Sequence, residues 1–311
     1  MKITITGGCG FIGTNLTLLL AEEAGFADSI TIIDSMISGT NNKEFLKDRA
    51  TIVTCELSDK NVEDYLDENT IVIHLAALGN VVESVSNPIL NFNANALSTL
   101  KLLEAMRKKN CKKIIFSSTG GALMGNTAPP VDEGSLPSPI SPYGASKLAC
   151  EGYINAYSES YGFTSLILRF GNVYGRHSLH KKGVINAWCK RLSREEDIII
   201  YGDGSSTRDY INVKDLCSGI VSSLQKLIDC DQGKCDTYHL STGLETSLSE
   251  LANMLISICG ANSRLIYEPN RIGEVERNFA SFMKAHREIG YSPSVHLRDG
   301  LRDTYEWIAS I

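Results

Sequence analysis

Lys2-Ile3-Thr4-Ile5-Thr6-Gly7-Gly8-Cys9-Gly10-Phe11-Ile12-Gly13 is the stretch on which the fold turns. A β-branched run gives way directly to glycines, and a segment with Leu16, Leu19 and Leu20 on one side follows. That order reads as strand, tight turn, helix. Gly7, Gly10 and Gly13 keep a G-x-x-G-x-x-G spacing, which lets backbone come close to a pyrophosphate and points the helix's first amides, those of Phe11 and Ile12, at it. A second apolar run, Ile30 to Ile33, ends in Asp34, and 34 − 13 = 21 residues separate that carboxylate from the last glycine. At this spacing an acid accepts from the adenosine ribose hydroxyls and repels a 2′-phosphate, so the expected cofactor is NAD rather than NADP.

Working outward, strands are expected at Thr51 to Cys55, Ile71 to Leu75, Lys113 to Phe116 and Thr164 to Arg169. Between them lie a long amphipathic helix from about Ile89 to Lys108 and another from Tyr143 to Tyr161. Alternating strand and helix calls for an α/β fold with a Rossmann-type, doubly wound parallel sheet. After Asn172 the rhythm changes to short strands and helices, a smaller α/β region over the carboxyl ends of the sheet. The expected division is 1–171 for dinucleotide binding and the catalytic residues, and 172–311 mainly for substrate, with room for segments that return to the first domain.

Pro142-Tyr143-Gly144-Ala145-Ser146-Lys147 opens the second long helix. Tyr143 and Lys147 are an i, i+4 pair on one helix face. An ammonium beside a phenol favours the phenolate, and a cationic nicotinamide ring beside both would favour it further. The strand ending in Ser117-Ser118-Thr119-Gly120-Gly121 places hydroxyls in the crevice where such sheets bind ligands. Small residues at the end of the preceding strand, Ala76 and Ala77, suit a cofactor lying against backbone, and Asn95 is placed to brace neighbouring backbone.

Composition sets the outer limits. The 311 residues are 43% hydrophobic and 21% charged, with a net charge of −6 and an isoelectric point near 5.6. Nucleic acid and anionic membrane are disfavoured as main partners. Nine cysteines without a Cys-x-x-Cys pair read as reduced thiols, and the start of the chain shows no secretory signal, so a cytoplasmic protein is expected. His177 and His180 have no neighbouring ligands, so no metal is expected. Arg208, beside Gly202-Asp203-Gly204, and Arg271, beside Pro269 and Gly273, are the arginines favoured for a diphosphate.

Taken together, these motifs resemble those of the extended short-chain dehydrogenase/reductases, and among them the NAD-dependent nucleotide-sugar epimerases and dehydratases. His74-Leu75-Ala76-Ala77, Asn95 to Thr99, Arg169-Phe170-Gly171-Asn172-Val173-Tyr174-Gly175, Arg208-Asp209-Tyr210 and Arg271-Ile272-Gly273-Glu274-Val275 carry the likeness over nearly the whole chain. The resemblance implies an NAD site in which Ser35 joins Asp34, Glu56 and Leu57 lie by the adenine, Leu75 and Ser117 line the cofactor, and Phe170 and Val173 lie near the nicotinamide. It implies that Asn172, Arg208, Tyr210, Arg271 and Glu274 hold a nucleotide diphosphate, with Gly120, Val184 and Tyr201 also at the substrate. It implies Thr119, helped by Ser118, at the reacting oxygen beside Tyr143 and Lys147, and a homodimer packed through the two long helices.

Dehydratases of this kind carry an acid just after the Ser/Thr. Thr119-Gly120-Gly121-Ala122-Leu123-Met124-Gly125 has none, which disfavours elimination. The stretch is similar to one branch of UDP-glucose 4-epimerases, so a 4-epimerase of UDP-glucose/UDP-galactose or their N-acetyl counterparts is expected. The alternative is a 4-keto-sugar reductase, or an epimerase of a dTDP-, GDP- or CDP-sugar. Met124, Glu274 and Ser281 depart from the family pattern, the first with an expected effect on the sugar pocket.

Overall fold

A computed structural model of the chain describes residues 1–22, 27–37, 40–230, 233–260, 262–269 and 275–311. Arg271 and Glu274 lie outside the described residues. The strands are β1 (Lys2–Thr6), β2 (Ser29–Asp34), β3 (Thr51–Thr54), β4 (Thr70–His74), β5 (Lys113–Thr119), β6 (Thr164–Phe170) and β7 (Asn172–Tyr174). Then follow β8 (Ile198–Tyr201), β9 (Thr207–Arg208), β10 (Tyr210–Asn212), β11 (Cys235–Leu240), β12 (Thr246–Ser247) and β13 (Leu265–Glu268). Among the described residues seven of them form one sheet in the order β11-β6-β5-β4-β1-β2-β3, every pairing parallel. The order reverses direction between β1 and β4, which opens a crevice at the carboxyl ends there.

Helices cover both faces. On one, Ile3, Ile5, Ile73, Ile115 and Leu168 pack against Leu16 of α1 (Phe11–Glu22) and, further along the chain, against Leu216, Ile220 and Leu224. On the other, Val72, Ile114, Phe116 and Ile167 meet Leu102, Leu103, Cys150 and Ile154. Both rows follow the period-two alternation of strand side chains, with every second residue sent to the same face.

The long helix expected from 89 to 108 is interrupted. After α2 (Val81–Ser86), α3 (Pro88–Phe92) runs into a π-helical turn at Asn93–Leu97 before α4 (Ser98–Lys108) resumes. A wide turn of this kind re-aims a side chain, and the one re-aimed here is Asn95. Its Oδ1 accepts the Leu78 amide at 2.8 Å, and its Nδ2 donates to the Leu78 carbonyl at 3.2 Å and to Ser146 Oγ at 3.1 Å. Asn95 therefore ties the chain beyond β4 to the helix that carries Tyr143, as its expected bracing role requires.

The remaining helices are α5 (Gly121–Met124), α6 (Pro142–Tyr161), α7 (Val184–Leu192), α8 (Val213–Asp229), α9 (Leu248–Cys259), α10 (Met283–Ile289) and α11 (Leu297–Ala309). A separate core of Trp188, Leu192, Ile198, Ile200, Leu251, Leu255 and Leu301 holds the carboxyl-terminal region together. Yet β11 joins the main sheet beside β6, so the chain after residue 172 supplies an edge of the first domain's sheet. Met124 is fully buried with Leu123, Val131 and Ala280, which corrects the expectation that its side chain shapes a sugar pocket.

Candidate active site

The glycine turn is built for close approach. A Cβ on Gly13 would sit 2.5 Å from the Gly8 Cα and 2.7 Å from the Gly7 carbonyl oxygen, so only glycine lets α1 start against the turn. The first amides of such a helix have no intrahelical acceptor and face whatever anion lies there. Asp34, 7% exposed at the end of β2, closes the other side. Its carboxylate accepts the Cys9 amide at 2.9 Å and the Met36 amide at 2.8 Å. Burial raises its pKa, and the two amides oppose that rise. The Cys55 amide donates to the Asp34 carbonyl at 3.1 Å, which brings Glu56 and Leu57 next to the acid. Ser35 is exposed beside it. Leu75 donates its amide to the Thr6 carbonyl at 3.0 Å, so Leu75, Ala76 and Ala77 leave β4 against the glycine turn. A glycine-lined helix start with a carboxylate across from it fits an adenosine diphosphate with free ribose hydroxyls.

The second half of the site sits on α6. Ser141 caps the helix by accepting the Gly144 amide at 3.2 Å, Pro142 takes the first turn, and Gly162 ends it in a left-handed conformation. Gly144 lets the helix start lie on the preceding turn, since a Cβ there would fall 2.0 Å from the Ala122 carbonyl oxygen. Tyr143 is half-buried, and the Ser84 hydroxyl accepts its backbone amide at 3.2 Å. Burial pushes the phenol up to about 12, while a hydrogen bond from Thr119 works in the opposite direction. Lys147 is buried, and burial pulls its pKa down to about 8. Its ammonium donates to the Ser117 carbonyl at 2.7 Å and lies 4.6 Å from the Phe116 ring centroid. The phenol is thus not primed by Lys147 alone.

β5 runs on through Thr119 rather than ending at Phe116, and Thr119 pairs in register with Phe170 of β6. Thr119 faces Tyr143. Ser118 does not join it: its hydroxyl is buried and donates to Glu151 Oε1 at 2.6 Å, which corrects the expectation of a helper at the reacting oxygen. Gly120 is covered by the His239 ring and Gly121 by Asn278. His74 is a structural residue, bonded to Thr6 at 2.6 Å and Thr99 at 2.9 Å, and burial, then Lys147, depress its pKa to about 3.

Of the residues expected at the substrate, Asn172 and Tyr210 are brought side by side as register partners of β7 and β10. Val184 starts α7, and Tyr201 ends β8. Val173 follows Asn172 on β7, half-buried. Arg208 turns its Nη1 to the Thr207 carbonyl at 2.8 Å. Asp209 is buried and accepts the amides of Thr242 and Gly243, both at 2.9 Å, so it holds the loop after β11.

Three further residues at the site carry no local signal in the sequence. Gly79 lies against the Tyr143 phenol, with an added Cβ at 3.7 Å from its oxygen. Ser84 orients the start of α6. Lys181 lies on a segment pinned across the cleft. Asn15 donates to the Arg176 carbonyl and Asn42 to the His177 carbonyl, both at 3.0 Å, and Lys182 pairs with Glu83 of α2 at 2.5 Å. Lys181 is exposed, and desolvation lowers its pKa. Its charge is close enough to oppose that of Lys147. Among the described residues no group of His, Cys, Asp and Glu could hold a metal ion, and no helix is long and apolar enough to cross a membrane.

A model of the NAD-dependent epimerase/dehydratase family matches residues 3–236. The chain belongs to that family. It is 35% identical, over 98% of both chains, to a putative UDP-glucose 4-epimerase of Methanocaldococcus jannaschii. Among solved structures it is similar to UDP-glucose 4-epimerase of Thermotoga maritima with UDP-glucose, at 32% identity and a TM-score of 0.90, covering 100% of this chain and 99% of that one. It is similar too to UDP-glucuronic acid 4-epimerase of Bacillus cereus in complex with UDP-glucuronic acid and NAD, at 27% identity and a TM-score of 0.92, covering 100% and 99%. The family's cofactor is NAD, and the glycine turn and Asp34 fit it.

Proposed function

We propose that this member of the family is a 4-epimerase of a UDP-sugar, with Thr119, Tyr143 and Lys147 as its catalytic residues. The observation that carries this reading is the Thr119–Tyr143 pair at the end of β5, with no acid in the turn after it. Glu151 of α6, which meets β5 one position before Thr119, is locked to Arg169 and Ser118. With no free acid beside Thr119 among the described residues, proton transfer at C4 is supported and elimination is not.

Tyr143 takes the proton of the C4 hydroxyl and later returns it. Thr119 hydrogen-bonds the C4 oxygen and holds it in line. NAD supplies the hydride acceptor and donor and is not consumed. Asn172 and Tyr210, with Arg208 nearby, hold the diphosphate while the 4-keto sugar turns and presents its other face. Arg271 and Glu274 belong to the same assignment, and Gly120, Val184 and Tyr201 are assigned to the substrate more broadly. Residues 1–171 hold the cofactor and the catalytic groups, and residues 172–311 mainly the nucleotide sugar.

The setting we propose is a cytoplasmic homodimer. Ile89, Leu90 and Phe92 of α3 and Tyr153 and Tyr161 of α6 are exposed, a row of apolar surface that a second copy would cover. A molar mass by light scattering equal to one chain would overturn the dimer.

Freshly purified protein, with no added nicotinamide, is incubated with UDP-glucose and with UDP-N-acetylglucosamine, and the anomeric protons are followed by NMR. Conversion to the galacto isomers is expected with at least one of them. NAD released on denaturation without any conversion would move the substrate to another nucleotide sugar or to a keto-sugar reductase.

A further inference from the structure

Tyr143, Lys147 and Glu151 stand four residues apart on α6 and form one stripe along it. The stripe meets three consecutive residues of β5. The Tyr143 phenol meets the Thr119 hydroxyl, Lys147 donates to the Ser117 carbonyl at 2.7 Å, and Ser118 donates to Glu151 at 2.6 Å. Arg169, the register partner of Ser118 on β6, completes the arrangement from the other side. Its Nε donates to Glu151 Oε1 at 3.1 Å and its Nη2 to Oε2 at 2.8 Å. The two charged side chains are only 7% and 8% exposed.

Stability does not account for such a pair. Well-packed apolar residues of the same volume often serve a core as well or better, and in some proteins a buried ion pair instead specifies geometry. Here the geometry it specifies is that of the strand end carrying Thr119. We propose that Glu151 is a positioning residue of the epimerase reaction: with Arg169 as counter-ion, it clamps the end of β5 to α6 so that Thr119 and Tyr143 hold their places while the sugar turns. The clamp also has an electrostatic side, because the Glu151 carboxylate favours the charged form of Lys147 against the effect of burial. The proposal rests on the epimerase reading of the site.

Two variants test it. Ser118→Ala removes only the strand-end contact. It is expected to lower kcat about tenfold, with KM and NAD content unchanged, as small misplacements of reacting groups do. The double variant Glu151→Gln/Arg169→Met removes both charges together, so that neither is left buried alone. The alkaline limb of its kcat profile, where Lys147 loses its proton, is expected to move to lower pH by roughly half a unit or more. A role in folding alone would reduce the amount of active enzyme and leave the limb in place.

Wild-type kcat and an unmoved limb in these variants overturn the proposal. If the double variant does not fold, Ser118→Ala decides by itself, and an unchanged kcat overturns the clamp. Failure of the epimerase reading shows separately, as a wild-type protein that turns over no UDP-sugar. The clamp is then read from ultraviolet titration of the Tyr143 phenol in NAD-loaded protein, with Tyr143→Phe as blank. The phenol is expected to ionise at higher pH in the double variant, and identical titrations overturn the clamp.

Discussion

The Lys147 ammonium donates to the Ser117 carbonyl at 2.7 Å, two residues before the Thr119 that meets the phenol of Tyr143. The phenol therefore stays near 12, and the charge that makes it a base must come from the bound cofactor's cationic ring acting with Lys147. Tyr143→Phe is expected to reduce kcat by about 10²–10⁴-fold or more, the scale of a lost acid–base group, with NAD retention unchanged. Single-turnover rates and NAD content after denaturation check both halves. Full activity in this variant would remove Tyr143 from the mechanism.

The same lysine links activity to stability. Its folded pKa, about 8, lies below its ordinary 10.5, so between those values the unfolded chain binds the proton and the fold does not. This group makes the protein more stable as pH rises through that interval, and least stable below it, where the buried ammonium is charged. Lys147→Met is expected to raise stability near pH 7 by on the order of 1–3 kcal/mol while abolishing turnover. Denaturant melts at pH 7 and pH 10 decide. The gain should be large at pH 7 and small at pH 10, and a loss at pH 7 would show that the Ser117 contact outweighs burial.

Asp34 does two things at once. It faces the expected ribose and also accepts the amides of Cys9 and Met36. Asp34→Ala is expected to weaken NAD binding at least about tenfold, to narrow the preference over NADP, and to cost roughly 1–3 kcal/mol of stability through the two amides left without an acceptor. Titrations with both cofactors, beside a denaturant melt, separate these effects. Unchanged NAD affinity with lowered stability would leave Asp34 a purely structural acid.

Much of this was legible in the sequence because it is local chemistry. The glycine turn, the acid at the end of β2 and the Tyr143/Lys147 spacing each follow from a few neighbouring residues, and the doubly wound parallel sheet follows from the alternation of strand and helix. Ser118 stands apart from the reacting oxygen because alternation along β5 places it in the row of Ile114 and Phe116, towards α6. Glu151 and Arg169 gave no local signal, since their partnership exists only once α6 lies across β5 and β6. The π-turn at Asn95 is likewise set by tertiary contacts, with Leu78 and Ser146, that no periodicity records.

Lys181 was invisible for the same reason, and it leads to the last prediction. The segment that carries it is fixed to α1, to the stretch after β2 and to α2 by its neighbours Arg176, His177 and Lys182. Among the described residues no carboxylate pairs with its ammonium, and Lys147 repels it. Such a cation is stabilised when an anionic ligand enters the cleft. Lys181→Met is expected to raise the KM for the nucleotide sugar about fivefold, the effect of roughly 1 kcal/mol from a partly solvated contact, with kcat little changed. A rise shared by UDP-glucose and UDP-glucuronate assigns the lysine to the diphosphate, and a rise confined to UDP-glucuronate assigns it to the sugar's own carboxylate. Equal KM values in variant and wild type for both sugars would show that Lys181 meets only solvent.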